Sequence, residues 1–125
     1  PSDLGGGNWM APTVISGLSP DSRGSTEEIF GPVVTLHRFE TDDEALEIAN
    51  CTSYGLAGSV WTSDLERGRR FSESIETGMV WINAWLHRDL RVPFGGVKDS
   101  GVGREGGKWS LGFFSEAMNV CVKHE

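Results

Sequence analysis

At 125 residues, 38% hydrophobic and 23% charged, the chain has the composition of one ordinary globular domain. Its formal net charge of −7 argues against nucleic acid or an anionic membrane surface as a partner, and no stretch is apolar for long enough to span a bilayer. Two cysteines, Cys51 and Cys121, neither in a CxxC pair, fit a reducing, cytoplasmic compartment, and their small or apolar neighbours predict both as buried structural residues.

The chain opens on Pro1-Ser2-Asp3-Leu4-Gly5-Gly6-Gly7-Asn8, a loop-like run with no initiator Met and no charged start leading into an apolar stretch. It reads as a cut inside a longer protein or as a processed start. Val33 to Phe39 is rich in β-branched and aromatic residues and predicts a strand. Thr41-Asp42-Asp43-Glu44 has the spacing of a capping box, and Ala45, Leu46, Ile48 and Ala49 follow at helical spacing. Tyr54-Gly55-Leu56 breaks that helix, and Ser59 to Thr62 predicts a second strand. Ser63-Asp64-Leu65-Glu66 is a second capping box. The helix behind it runs to about Glu76, buries Leu65, Phe71 and Ile75, and ends at Thr77-Gly78 with glycine at its C-cap. Met79 to Ile82 is a third strand and Met118 to Val122 a further short one. Strand–helix–strand–helix–strand with short connections implies α/β architecture, a parallel βαβαβ open sheet with right-handed crossovers. Three such strands with two helices cover one face poorly, so the chain reads as part of something larger.

Gly101-Val102-Gly103-Arg104-Glu105-Gly106 matches GxGxxG. A dinucleotide fingerprint needs a buried strand feeding directly into it, and Val97-Lys98-Asp99-Ser100 reads as no strand, so a tight glycine turn is expected. His37, His87 and His124 lack metal-ligand spacing, and neither cysteine has an activating neighbour; no catalytic residue and no metal site are expected here. Two segments ask for more than scaffold. Glu27-Glu28-Ile29-Phe30-Gly31-Pro32-Val33 sets two carboxylates and an aromatic before a strand; carboxylates accept from ribose hydroxyls and an aromatic packs on a flat ring. Asn83 to Gly96 leaves the third strand at its C-terminal end, where open parallel sheets hold ligands, and carries Arg88 and Arg91. Their planar forks suit a carboxylate ligand; the alternative is a surface ion pair with Asp89.

Glu27 to Val33 resembles the EEIFGPV signature of the aldehyde dehydrogenase superfamily. Ser53-Tyr54-Gly55-Leu56-Ala57 resembles its helix-to-strand turn, and Pro93-Phe94-Gly95-Gly96 and Ser100-Gly101-Val102-Gly103-Arg104-Glu105 with Gly107 resemble its PFGG and SGxGRExG blocks. The order is right and nearly the whole chain is covered. The resemblance implies the second half of the catalytic domain over residues 1–117, and an oligomerisation strand and tail over 118–125. It implies NAD or NADP as cofactor, NAD favoured, with Glu28 on the nicotinamide-side ribose and Phe30 near the nicotinamide. It places the nucleophilic cysteine, the general-base glutamate and the Rossmann domain upstream, so the chain alone is expected to be inactive; a non-catalytic α/β assembly or binding module is the alternative. Trp85-Leu86-His87-Arg88-Asp89-Leu90 is similar to the muconic semialdehyde dehydrogenase branch, which implies a carboxylate-bearing aldehyde paired with Arg88, with Arg91 as second candidate. The implied partners are a small aldehyde and further copies of the chain. Two departures stand out: Gly24, expected to loosen the approach to Glu28, and Ala84, where this branch commonly has cysteine.

Overall fold

The computed structural model describes residues 5–125, so the first half of the opening loop-like run lies outside the described residues. Ten short elements follow one another in a mixed α/β arrangement. Strand β1 (Thr13–Ser16) runs parallel to β2 (Val33–Leu36), Thr13 opposite Val33, with the one-turn helix α1 (Arg23–Thr26) in the crossover. Helix α2 spans Asp42–Asn50 and leads to β3 (Tyr54–Gly55) and β4 (Ala57–Val60). Helix α3 (Leu65–Ser74) crosses from β4 to β5 (Met79–Ile82), which is parallel to β4 with Ala57 opposite Met79. A two-residue strand β6 (Val97–Lys98) pairs antiparallel with β3, and helix α4 (Gly107–Phe113) precedes the tail.

The expected single sheet is therefore corrected to three separate two-stranded ladders, two parallel and one antiparallel. Each parallel ladder is one right-sized βαβ unit. Nothing among the described residues hydrogen-bonds β2 to β4 or β5, because alternation in sequence fixes crossover units and not which units become neighbours. Segment 118–122, expected as a strand, has no ladder partner among the described residues.

The starts of α2 and α3 follow cap chemistry. Thr41 accepts from the Glu44 amide at 3.2 Å, while the Glu44 carboxylate reaches back one residue further than expected, to the Glu40 amide at 2.7 Å. At α3 the cap is Asp64 rather than Ser63: its carboxylate accepts from the Arg67 amide at 3.0 Å, and its own amide donates to the Thr62 hydroxyl at 3.1 Å. An anion suits the positive end of the helix better than a hydroxyl does. The covered side of α3 carries Gly68, Phe71 and Ser72 and continues into its C-cap Ile75; Leu65, expected inside, is exposed. Gly68 lets the helix lie close, since a Cβ there would come 3.1 Å from an Ile82 methyl and 3.2 Å from a Thr62 methyl. The helix ends at Ile75 in extended conformation, so Gly78 is no C-cap. Lys98 then ties the layers together: its Nζ donates to the Asn50 and Thr52 carbonyls at 2.8 and 3.1 Å and pairs with Glu76 at 2.6 Å. It thereby neutralises the carbonyl end of α2.

Among the described residues, no apolar side chain is fully buried; only Gly55, Gly68 and Gly96 are. Cys51 and Cys121, expected inside, are both exposed. The chain presents 10203 Å² to solvent, against about 6,600 Å² for a folded monomer of its mass. Val14, Val34 and Leu36 form an apolar surface on the outer side of the β1–β2 ladder, and parallel ladders are stable when both faces are covered. Expressed by itself, the 125-residue chain should therefore self-associate or aggregate. Sedimentation showing a monomer that survives both dilution and concentration would contradict this.

Candidate functional site

The loop after β5 begins with a clamp. The Asn83 amide accepts from the Thr62 N–H at 2.8 Å and donates to the Thr62 carbonyl at 2.7 Å, joining the ends of β4 and β5. Asn83 and Leu86 both have left-handed backbones, φ 53° and 52°, a conformation that costs a residue other than glycine roughly 1–2 kcal/mol. Asn83 tolerates it best, and the Leu86 reversal is held from outside. The Trp81 indole donates to the His87 carbonyl at 2.8 Å, and its ring meets Trp85 edge-on at 5.6 Å.

The arginines that follow behave differently. Arg91 grips Asp89 with Nε and Nη2 at 2.6–3.1 Å and adds its backbone N–H at 2.9 Å. Its side chain is 88% exposed and does not line the pocket beside it. Arg88 has no carboxylate partner among the described residues; its guanidinium lies 4.1 Å over the centre of the Phe94 ring. The ion pair that sequence offered as an alternative is thus formed by Arg91. Arg88 instead lines a pocket of about 270 Å³ with Trp81, His87, Val92, Phe94 and Glu105. Phe94 is pinned by paired backbone hydrogen bonds to Glu105, both 2.8 Å.

The Arg91 side chain, then its backbone N–H, holds the Asp89 carboxyl below the usual carboxylate range, and Arg91 is raised in turn. A lowered carboxylate pKa contributes stability that is present above the unfolded value, ~3.9, and is lost as pH falls through the folded value. The clamp should therefore persist through mildly acidic conditions. A carbon-detected NMR titration in which Asp89 takes up its proton at or above the pH of a free aspartate would show that it does not.

The same division of labour recurs in the acidic segment. Glu27 is paired with Arg23 at 2.7 and 3.0 Å, which pulls its carboxyl pKa down. Glu28, next to it, makes no side-chain hydrogen bond among the described residues, and it lines a cavity with Thr26, Ala49, Tyr54, Thr77 and Ser100. Phe30 is 91% exposed and holds φ at 55°. A large apolar ring set on a strained backbone and turned outward is spent on something beyond this chain's own packing. Glu28 and Arg88 line different cavities, and Phe30 lines neither. Gly24 packs a Leu18 methyl where its Cβ would stand, 2.9 Å away, and so brings α1 close rather than loosening it.

The glycine-rich turn also acquires a role. A two-residue antiparallel strand precedes it, where no strand was expected, and the seven-residue α4 follows without a side-chain cap. Its glycines serve backbone packing: a Cβ at Gly106 would meet the Val92 carbonyl at 2.4 Å, and one at Gly107 the Arg91 carbonyl at 2.4 Å. Arg104 donates to the Gly96 and Gly103 carbonyls, each at 2.7 Å. The turn therefore braces the segment that carries Arg88 and Phe94. Sequence reading passed over Trp81, Phe94 and Glu105, since nothing in their spacing announces that they meet at one pocket. The described residues contain no group that could hold a metal ion and no helix long and apolar enough to cross a membrane.

The sequence profile of the aldehyde dehydrogenase family matches residues 1–120. The chain is 50% identical over 123 residues to 2-hydroxymuconic semialdehyde dehydrogenase of Pseudomonas putida, covering 98% of this chain and 25% of that protein. It is 48% identical over 118 residues to 2-aminomuconic semialdehyde dehydrogenase of Homo sapiens, covering 94% and 24%. Among solved structures, an aldehyde dehydrogenase of Mycobacterium tuberculosis complexed with NAD+ superposes with a TM-score of 0.86 at 42% identity, over 93% of this chain and 24% of that one. The HpcC structure from Thermus thermophilus gives 0.84 at 47% identity, over 88% and 21%. The chain spans about a quarter of the length of these relatives.

Proposed function

The chain belongs to the aldehyde dehydrogenase family, and from that premise we propose that the protein carrying it oxidises a carboxylate-bearing semialdehyde to the acid with NAD or NADP. The observation that carries this reading is the unpaired Arg88, set on Phe94 at the edge of a pocket while Asp89 is occupied by Arg91. A cation without a partner in a chain of net charge −7 is suited to an anionic ligand. The name of the Pseudomonas putida relative gives a semialdehyde of that kind as its substrate. Arg91 serves mainly to hold the loop through Asp89, with its Nη1 left for a second contact.

The cofactor fits the residues present. Glu28 offers an unengaged carboxylate to ribose hydroxyls, and Phe30 an exposed ring to a flat nicotinamide. NAD(P), when bound, accepts the hydride from the aldehyde carbon. The nucleophile and the base would lie upstream of the Glu27–Val33 segment in the full-length protein, so the isolated chain should be inactive. Residues 118–125 supply a strand to another copy: the exposed segment carries Met118, Val120 and Val122 at alternate positions, a spacing that puts them on one face of a strand.

The test compares kcat/KM of the full-length enzyme for glutaric semialdehyde and for hexanal. The acid should be preferred by at least about tenfold; equal values would remove the anion site. A second measurement addresses the cofactor end. Glu28→Gln keeps an acceptor but loses its charge, so cofactor binding should weaken by about 1–2 kcal/mol. Unchanged cofactor Kd together with an unchanged hydride-transfer rate would take Glu28 out of the site.

A further inference from the structure

We propose that Trp81 and Phe94 are positioning residues that mount Arg88 so that its guanidinium edge, rather than its face, is offered to the substrate carboxylate; this rests on the semialdehyde reading above. The reason lies in how each fixes the arginine without using its donors. Trp81 stands on β5 and ties down the carbonyl of His87, the residue immediately before Arg88. That bond holds the end of a reversal made through the left-handed Leu86. Without it, the backbone that aims Arg88 is free to relax toward an ordinary conformation.

Phe94 acts on the other end of the side chain. A ring beneath the guanidinium carbon attracts the cation through its π cloud without consuming a hydrogen-bond donor, and no hydrogen bond among the described residues uses the Arg88 N–H groups. A carboxylate is recognised by those in-plane donors, two at a time. Pairing with Asp89 would have consumed them, and Arg91 prevents that by occupying Asp89. Phe94 cannot drift, because Glu105 holds its backbone from both sides and Gly95 and Gly96 follow in tight backbone packing. Two aromatic residues at the ends of different segments, 13 positions apart, thus converge on one arginine.

The experiment measures the ratio of kcat/KM for glutaric semialdehyde to that for hexanal in the full-length enzyme. Trp81→Phe keeps the ring and removes the donor; Phe94→Leu removes the ring; Phe94→Tyr keeps it. The ratio should fall by about tenfold in each of the first two and stay near the parent value in the third. On an Arg88→Ala background, Trp81→Phe and Phe94→Leu should lower the ratio no further, which a purely structural role would not produce. If Arg88→Ala collapses the ratio but Trp81→Phe and Phe94→Leu leave it unchanged, the mount is wrong while the anion site stands. If Arg88→Ala itself leaves the ratio unchanged, the semialdehyde reading fails and this inference falls with it. Equal losses for both substrates, which also leave the ratio intact, would return Trp81 and Phe94 to general packing.

Discussion

Replacing Gly78 by alanine in the full-length enzyme should destabilise it by about 3 kcal/mol or more. The new Cβ would stand 1.7 Å from the Gly95 carbonyl oxygen, 2.8 Å from its carbon and 3.1 Å from the Gly96 Cα. Backbone does not swing aside as the end of a lysine does. Nor can Gly95 and Gly96 retreat, because a Cβ on Gly95 would already be 2.7 Å from the Gly103 carbonyl and one on Gly96 2.6 Å from the Ser100 Cβ. Three backbone layers are stacked there with only hydrogens between them. The clash is passed on to Phe94, the neighbour of Gly95, so selectivity for the acid substrate should fall along with Tm. Gly112→Ala is the matched control: nothing lies within 4 Å of its Cβ, it sits in α4, and its φ is ordinary. That change should be neutral or stabilising by up to about 1 kcal/mol. Equal melting temperatures for the two variants would show that the layers part more readily than their spacing implies.

That stack also shows where sequence is legible and where it stops. The Thr41 cap and the span of β5, Met79–Ile82, follow from local chemistry, since side-chain acceptors and β-branched runs act within a few residues. Gly78 looked like a helix terminator for the same local reason, yet its glycine is demanded by Gly95, 17 positions away. Strand β6 is hidden in the same manner: Val97 and Lys98 read as loop among glycines and become a strand only because Tyr54 and Gly55 lie opposite. The cysteines and Leu65 fail in the other direction. The cysteines have small or apolar neighbours and Leu65 a place in the helical pattern, but burial needs a partner surface, and this quarter-length chain supplies too little of it.

The candidate site divides along the same line. Glu28 and Arg88 could be picked out by residue type and position, whereas which of two adjacent charges is spoken for could not. In both segments a neighbour is engaged, Glu27 by Arg23 and Asp89 by Arg91, and the candidate beside it is left open. That choice depends on side-chain reach: an i, i+4 pair from α1 to its C-cap for one, and a two-residue turn closed by a backbone N–H for the other.

The largest effect on specificity is expected at Arg88. In the full-length enzyme, Arg88→Ala should weaken transition-state binding of glutaric semialdehyde by roughly 2–4 kcal/mol, about thirtyfold to several hundredfold in kcat/KM. The magnitude rests on desolvation. In this chain Arg88 is exposed, and an exposed ion pair contributes only about 0.2–1 kcal/mol. A bound substrate that fills the pocket beside Phe94 would exclude water from the guanidinium on one side, and a polypeptide of the relatives' length, about four times that of this chain, would have further surface to cover the other. Removing the cation then leaves a carboxylate without a partner in a place where water cannot fully replace it. Hexanal has no such group, so its loss should reflect packing alone and stay within about 1 kcal/mol. Arg88→Lys should fall between, because an ammonium supplies charge without the planar fork and stacks less well on Phe94. If Arg88→Ala lowers kcat/KM equally for both aldehydes, Arg88 supports the loop and does not read the substrate. A selective loss smaller than about 1 kcal/mol would mean that the arginine stays as open to water in the assembled enzyme as it is in this chain.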